Sequence, residues 1–102
     1  MKFENFAVKS MLEATHEAGH LTDREKQFIG LAVATTRGCI ACSGARIRRA
    51  LDSGIPREAV IQAVDIASVV NAGVTTAIAL QGIEKEGLNL ACSDGACTAS
   101  CS

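Results

Sequence analysis

Helix punctuation narrows the folds open to this chain more than any other feature. Gly19, Gly38, Gly54 and Gly87 each follow a run of apolar residues at roughly helical spacing, while Thr22-Asp23-Arg24-Glu25 and Pro56 each precede one. Glycine reaches the left-handed conformation that closes a helix. A threonine with glutamate three residues on satisfies two orphan N–H groups at a helix start, and proline at a first helical position sacrifices no hydrogen bond. These signals predict helices over Phe3 to about Ala18, Thr22 to about Arg37, the Cys39-Ile40-Ala41-Cys42 region to about Ser53, Pro56 onward, and Val74 to Glu86. The last two are separated by a predicted break at Asn71-Ala72-Gly73. No alternating strand pattern and no internal repeat competes with them, so the expectation is an all-α bundle of about five helices.

The apolar inventory fits. The chain is 48% hydrophobic but only 3% aromatic, so its apolar mass is mostly Ala, Val, Ile and Leu, which suits close helix–helix packing. With 102 residues it makes one domain whose core is marginal by size alone. We place the helical domain at residues 1–91 and a small, polar, aperiodic and flexible tail at 92–102. A net charge of −1 without a sustained basic face argues against nucleic acid or an anionic membrane surface as partner. Arg46, Arg48 and Arg49 form a short cluster that a solvated helix face would also explain.

Met1-Lys2-Phe3-Glu4-Asn5 leads into an amphipathic pattern and not an apolar leader. The uncharged stretch Ile66 to Ile83 has the length of a membrane span but carries Ser68, Asn71, Gly73, Thr75, Thr76 and Gln81. Two short buried helices are the expected reading, in a soluble, cytoplasmic protein. That stretch also exceeds what a five-helix monomer readily covers, so association between copies is expected.

Cys39 and Cys42 carry the chemistry. One helical turn apart on the same side, they are close enough for a disulfide or a shared soft metal. A helix start offers unsatisfied N–H groups and a positive dipole end, which typically lower a cysteine pKa from about 8.5 into the range of roughly 3.5 to 7.5. Continuing the helix brings Arg46 and Arg49 to the cysteine side, with Arg37 adding a third cation, and predicts Ile40, Gly44, Ile47 and Leu51 as the core-facing stripe. The bland alternative is two apolar thiols buried at a small-residue helix interface. In a cytosolic chain, five cysteines read as redox groups or metal ligands before structural staples. Cys92, Cys97 and Cys101 crowd the tail, where they can be passive, bind a soft metal or metalloid ion, or exchange with the central pair.

One further pattern belongs to the first helix. His16-Glu17-Ala18-Gly19-His20 matches the spacing of two zinc-binding histidines with a glutamate base. Gly19 within it and a new helix start at Leu21-Thr22 carry His20 past the helix end, so the two imidazoles lose their common face. We read it as a coincidental match, and expect no metal and no resident cofactor.

With these residues in place, the region from about Leu21 to Glu86 resembles the carboxymuconolactone decarboxylase/alkylhydroperoxidase AhpD family. The resemblance is carried by Leu31-Ala32-Val33-Ala34, Arg37-Gly38-Cys39-Ile40-Ala41-Cys42, Ala50-Leu51, Gly54, Glu58, Ala63 and Asn71-Ala72-Gly73. It implies an AhpD-like all-helical bundle assembled as a trimer or hexamer, and a dithiol redox activity on a peroxide or disulfide substrate with a protein thiol as reductant. It assigns attack on peroxide to Cys42 and resolution, as a Cys39–Cys42 disulfide, to Cys39. The dipole argument alone favours Cys39 as the thiolate; Arg46, one turn beyond Cys42, favours Cys42. The family's relay glutamate, twelve residues before the first cysteine, corresponds to Gln27, and its histidine, four after the second, to Arg46. A histidine beside the second cysteine in some members corresponds to Ala41. Neither Gln27 nor Arg46 shuttles protons near neutral pH. The expected catalytic set is therefore Cys42, Cys39, Arg46 and Gln27, with an incomplete proton relay. The expected function is disulfide exchange or weak peroxide reduction, with thiol-based metal or metalloid binding as the alternative. The decarboxylase branch uses no such cysteine pair.

Overall fold

The computed structural model describes residues 1–90; the tail cysteines Cys92, Cys97 and Cys101, and the readings attached to them, lie outside the described residues. The described residues are helical without a strand: a 3₁₀ turn at Phe3–Asn5, then α1 (Ala7–Glu17), α2 (Asp23–Arg37), α3 (Ile40–Asp52) and α4 (Arg57–Lys85). The all-α expectation holds with four α-helices in place of five. The chain divides into two compact units, Met1–Val69 and Val70–Ser102.

The start of the first predicted helix is instead a separate turn. The Lys2 N–H donates to Asn5 Oδ1 at 2.7 Å, and Phe6 is extended, so α1 begins only at Ala7. At α2 the capping box forms as read. Glu25 N–H donates to Thr22 Oγ1 at 3.1 Å and Thr22 N–H to Glu25 Oε1 at 2.8 Å. The Thr22 backbone N–H, and after it the Thr22 side chain, hold the Glu25 carboxyl below the ordinary carboxylate range. Gly38 closes α2 in the left-handed conformation (φ 85°), and its N–H donates to the Ala34 carbonyl at 3.1 Å. Pro56 stands one residue ahead of α4, and its carbonyl accepts the Val60 N–H at 3.2 Å.

The largest correction concerns α4. Asn71-Ala72-Gly73 does not break it; the two expected helices are one helix of 29 residues. An Asn or Gly inside a helix costs only up to about 1 kcal/mol each, and termination needs a cap or a left-handed residue. Gly73 is not among the positive-φ glycines, which are Gly38, Gly54 and Gly87. The polar residues are absorbed within the helix: Ser68, Thr75 and Thr76 donate their hydroxyls to the Val64, Asn71 and Ala72 carbonyls one turn back. Nor is this stretch buried as expected. Ile66, Val69, Val70, Val74, Ile78 and Leu80 are each more than half exposed, and α4 is long and apolar enough to cross a membrane by length and composition.

The core of the first unit joins α2, α3, the turn after α3 and the opening of α4. Leu31, Ala50, Ile55 and Val60 are buried together, with Phe28, Ile47, Ala59, Ala63 and Val64 packed against them. The stripe expected on α3 is only partly right. Ile47 packs on the core, but Ile40 is 89% exposed and Leu51 44% exposed, and Ala50 takes the central place. A helical side chain covers the turn preceding it, and Ile40, as the first residue of α3, has no preceding turn to cover. On α2, Leu31 is buried, while Ile29 and Val33 are more than half exposed and line the cleft described next.

Candidate active site

The junction between α2 and α3 builds the site. Gly38 reverses the chain, and Cys39 follows in extended conformation as the N-cap of α3. Its Sγ accepts the Cys42 N–H at 3.1 Å, and its carbonyl accepts both the N–H and the hydroxyl of Ser43, at 2.9 and 2.7 Å. A cysteine thus occupies the position usually held by Ser, Thr, Asp or Asn. Cys39 and Cys42 are joined as a disulfide, with Cα atoms 5.3 Å apart, within the span a disulfide bridges. Cys39 is half-buried and Cys42 exposed.

Arg46 stands one turn beyond Cys42 and is half-buried. Its guanidinium lies across α2 at Gly30, where even a methyl group would collide with it. The missing side chain at Gly30 is what lets the arginine lie there. Among the described residues no carboxylate pairs with Arg46 within ion-pair distance.

Gln27 goes elsewhere. Its Nε2 donates to Ser53 Oγ at the end of α3, at 3.3 Å, and its Oε1 is buried without a hydrogen-bond partner. Lys26, Gly30, Val33 and Arg37 of α2 share a cleft with the cysteines, and Gln27 is not among the residues lining it. Three of the four residues read from the sequence therefore meet at one site, and Gln27 is placed apart.

That site is a cleft of about 550 Å³ among α1, α2 and α3. Cys39, Cys42, Arg46, Arg37 and Lys26 line it together with Leu12, Leu21, Ile29 and Val33. His16 of α1 joins them, a neighbour the sequence did not reveal. Its Nδ1 lies 2.8 Å from the Leu12 carbonyl one turn back; with Nδ1–H donating there, as we assign it, Nε2 keeps a lone pair. Lys26 Nζ donates to the His16 carbonyl at 2.6 Å and ties the end of α1 to α2. The one sequence signal was the Leu12–His16 spacing of one turn, which marks a shared face but not what it faces. His20 lies beyond the end of α1, so the paired-histidine geometry is not met. No cluster of three or more His, Cys, Asp or Glu forms among the described residues.

A four-helix fold with a disulfide capping one helix beneath a cation-lined cleft defines an all-helical protein of the CxxC type. The profile of the carboxymuconolactone decarboxylase family matches residues 7–84, and the chain belongs to that family. It is also similar to a crystal structure of a protein from Methanobacterium thermoautotrophicum, with 28% identity, 79% of this chain and 93% of that chain covered, and a TM-score of 0.71. Comparison with curated proteins gives no match.

Proposed function

We propose that this protein is a thiol–disulfide redox protein of the AhpD type, with the Cys39–Cys42 pair as its redox centre. The observation that carries the reading is the disulfide at the head of α3, beside an arginine without a carboxylate partner. In the reduced state the Cys42 thiolate attacks one sulfur of a substrate disulfide, forming a mixed disulfide and releasing the first thiolate. The Cys39 thiolate then attacks Cys42 Sγ, restoring the internal disulfide and releasing the second thiolate. Two electrons pass from the pair to the substrate, and a protein dithiol returns them. Cys42 is the exposed sulfur and has Arg46 one turn away; Cys39 sits where the internal attack must start. Peroxide reduction is the weaker activity, because its leaving oxygen needs a proton that neither Gln27 nor Arg46 supplies.

The order of attack is open to direct test. Cys39→Ser should still react once and accumulate a mixed disulfide on Cys42, seen by mass spectrometry as one added substrate half. Cys42→Ser should lose that first step. The reverse pattern would hand the attacking role to Cys39, as the N-cap hydrogen bond from Cys42 N–H favours.

We also read the protein as a cytoplasmic homo-oligomer, a trimer or hexamer, in which the exposed apolar residues of α4 are covered by other copies. Burying several isoleucine, valine and leucine side chains at roughly 1.5–3 kcal/mol each makes such association strong. Light scattering in detergent-free buffer should show the assembly persisting on dilution; a stable, soluble monomer would reject it.

A further inference from the structure

The lining of the cleft is more specific than disulfide exchange itself requires. Its charged side chains are all cationic, Lys26, Arg37 and Arg46, and no Asp or Glu lines it. Lys26 is partly occupied: its side chain is 13% exposed, donates to the His16 carbonyl and stands 3.9 Å from Asp23. Arg37 and Arg46 pair with no carboxylate among the described residues. Lining the same cleft are apolar side chains, with Ile29 and Val33 more than half exposed although they sit in mid-helix on α2. Unpaired cations favour an anion, and exposed aliphatic groups favour an apolar body. At about 550 Å³ the space suits an organic molecule and far exceeds what hydrogen peroxide would fill.

We propose that the substrate of the cysteine pair is an amphipathic anion, a carboxylate-bearing organic molecule with a reducible S–S or O–O bond. Its carboxylate pairs with Arg37 and Arg46, its apolar body lies on Ile29 and Val33, and its reducible bond reaches Cys42. The assignment rests on the redox reading above and adds the class of substrate. The two electrons of the dithiol cleave either an S–S bond, releasing two thiols, or an O–O bond, releasing an alcohol and water, and the pair is left as the disulfide. Arg46 serves both steps: it binds the carboxylate and stands beside the sulfur that reacts.

The test uses the reduced full-length chain with Cys92, Cys97 and Cys101 each changed to Ser, so that only the central pair reports. Stopped-flow rates are measured with the dianionic aryl disulfide 5,5′-dithiobis(2-nitrobenzoate) and the neutral 4,4′-dithiodipyridine, each divided by its rate with 2-mercaptoethanol. At low salt the anion-to-neutral ratio should exceed unity by about tenfold or more. It should fall with added potassium chloride, and fall several-fold in Arg37→Gln. The small dianion 2,2′-dithiodiacetate, which lacks an apolar body, should show a smaller ratio than the aryl dianion. A parallel arm compares a long-chain carboxylic acid hydroperoxide with cumene hydroperoxide, following thiol loss. The arm with the larger anion preference identifies the reducible bond. Ratios near unity in both arms, unmoved by salt and by Arg37→Gln, overturn the substrate class. A central pair no more reactive than 2-mercaptoethanol, even toward the neutral disulfide, instead overturns the redox reading.

Discussion

Replacing Arg46 by histidine should raise the rate of peroxide reduction by roughly 10²-fold, at the lower end of the 10²–10⁴-fold span that general acid–base help supplies. The position is right for it. Residue 46 lies one turn beyond Cys42, over Gly30 and on the cleft, so an imidazole there stands beside the reacting sulfur. A guanidinium stays charged at any accessible pH and cannot return a proton to the leaving oxygen; an imidazole can. Gln27→Glu alone should change little, because residue 27 is directed at Ser53 and away from the cleft. Combined with Arg46→His, it should add little to what the histidine gives, because a carboxyl at position 27 is directed at Ser53 and not at the cleft. Arg46→Ala separates the two duties of the arginine. It removes the cation beside Cys42, so the pH dependence of alkylation should move to higher pH without a gain in peroxide turnover. Stopped-flow thiol oxidation by hydrogen peroxide measures the first effect and iodoacetamide kinetics the second. An unmodified protein already as fast as its Arg46→His variant would show that the proton comes from elsewhere, and His16 is the group in the cleft able to carry it.

Leu31→Ala should cost about 2–5 kcal/mol of stability, a large share of the 5–15 kcal/mol typical of a whole domain. Leu31 is 1% exposed and sits with Ala50, Ile55 and Val60 at the centre of the core of the first unit. Those neighbours are few, and the backbone between α3 and α4 is held by hydrogen bonds from Ile55 N–H to Ala50 and from Gly54 N–H to Leu51, so collapse around the lost side chain is limited. Urea unfolding at a fixed protein concentration measures the loss. The same titration at tenfold lower concentration tests the assembly, because stability drawn from contacts between copies falls on dilution. A cost below about 1 kcal/mol would place the dominant core outside this cluster.

The positions of the helices were legible because the forces that set them are local. Thr22 and Glu25 satisfy each other's backbone within one turn, Gly38 supplies the left-handed conformation that ends α2, and Cys39 and Cys42 meet because three residues of helix bring them together. The same local logic misled at Asn71-Ala72-Gly73, where low propensity was taken for a stop although no cap follows and the hydroxyl groups nearby bond back into the helix.

The sequence by itself thus determined an all-helical fold, its cysteine pair at the head of a helix, and the arginine one turn away. Only the tertiary structure decided what surrounds them. His16 lines the cleft with residues of α2, and Lys26 of that helix holds the His16 carbonyl, ten positions earlier. Gln27 turns to Ser53, twenty-six positions later. Arg46 lies where it does because a different helix lacks a side chain at Gly30. Each of these depends on which faces of two helices meet, and apolar spacing marks a face without naming its partner.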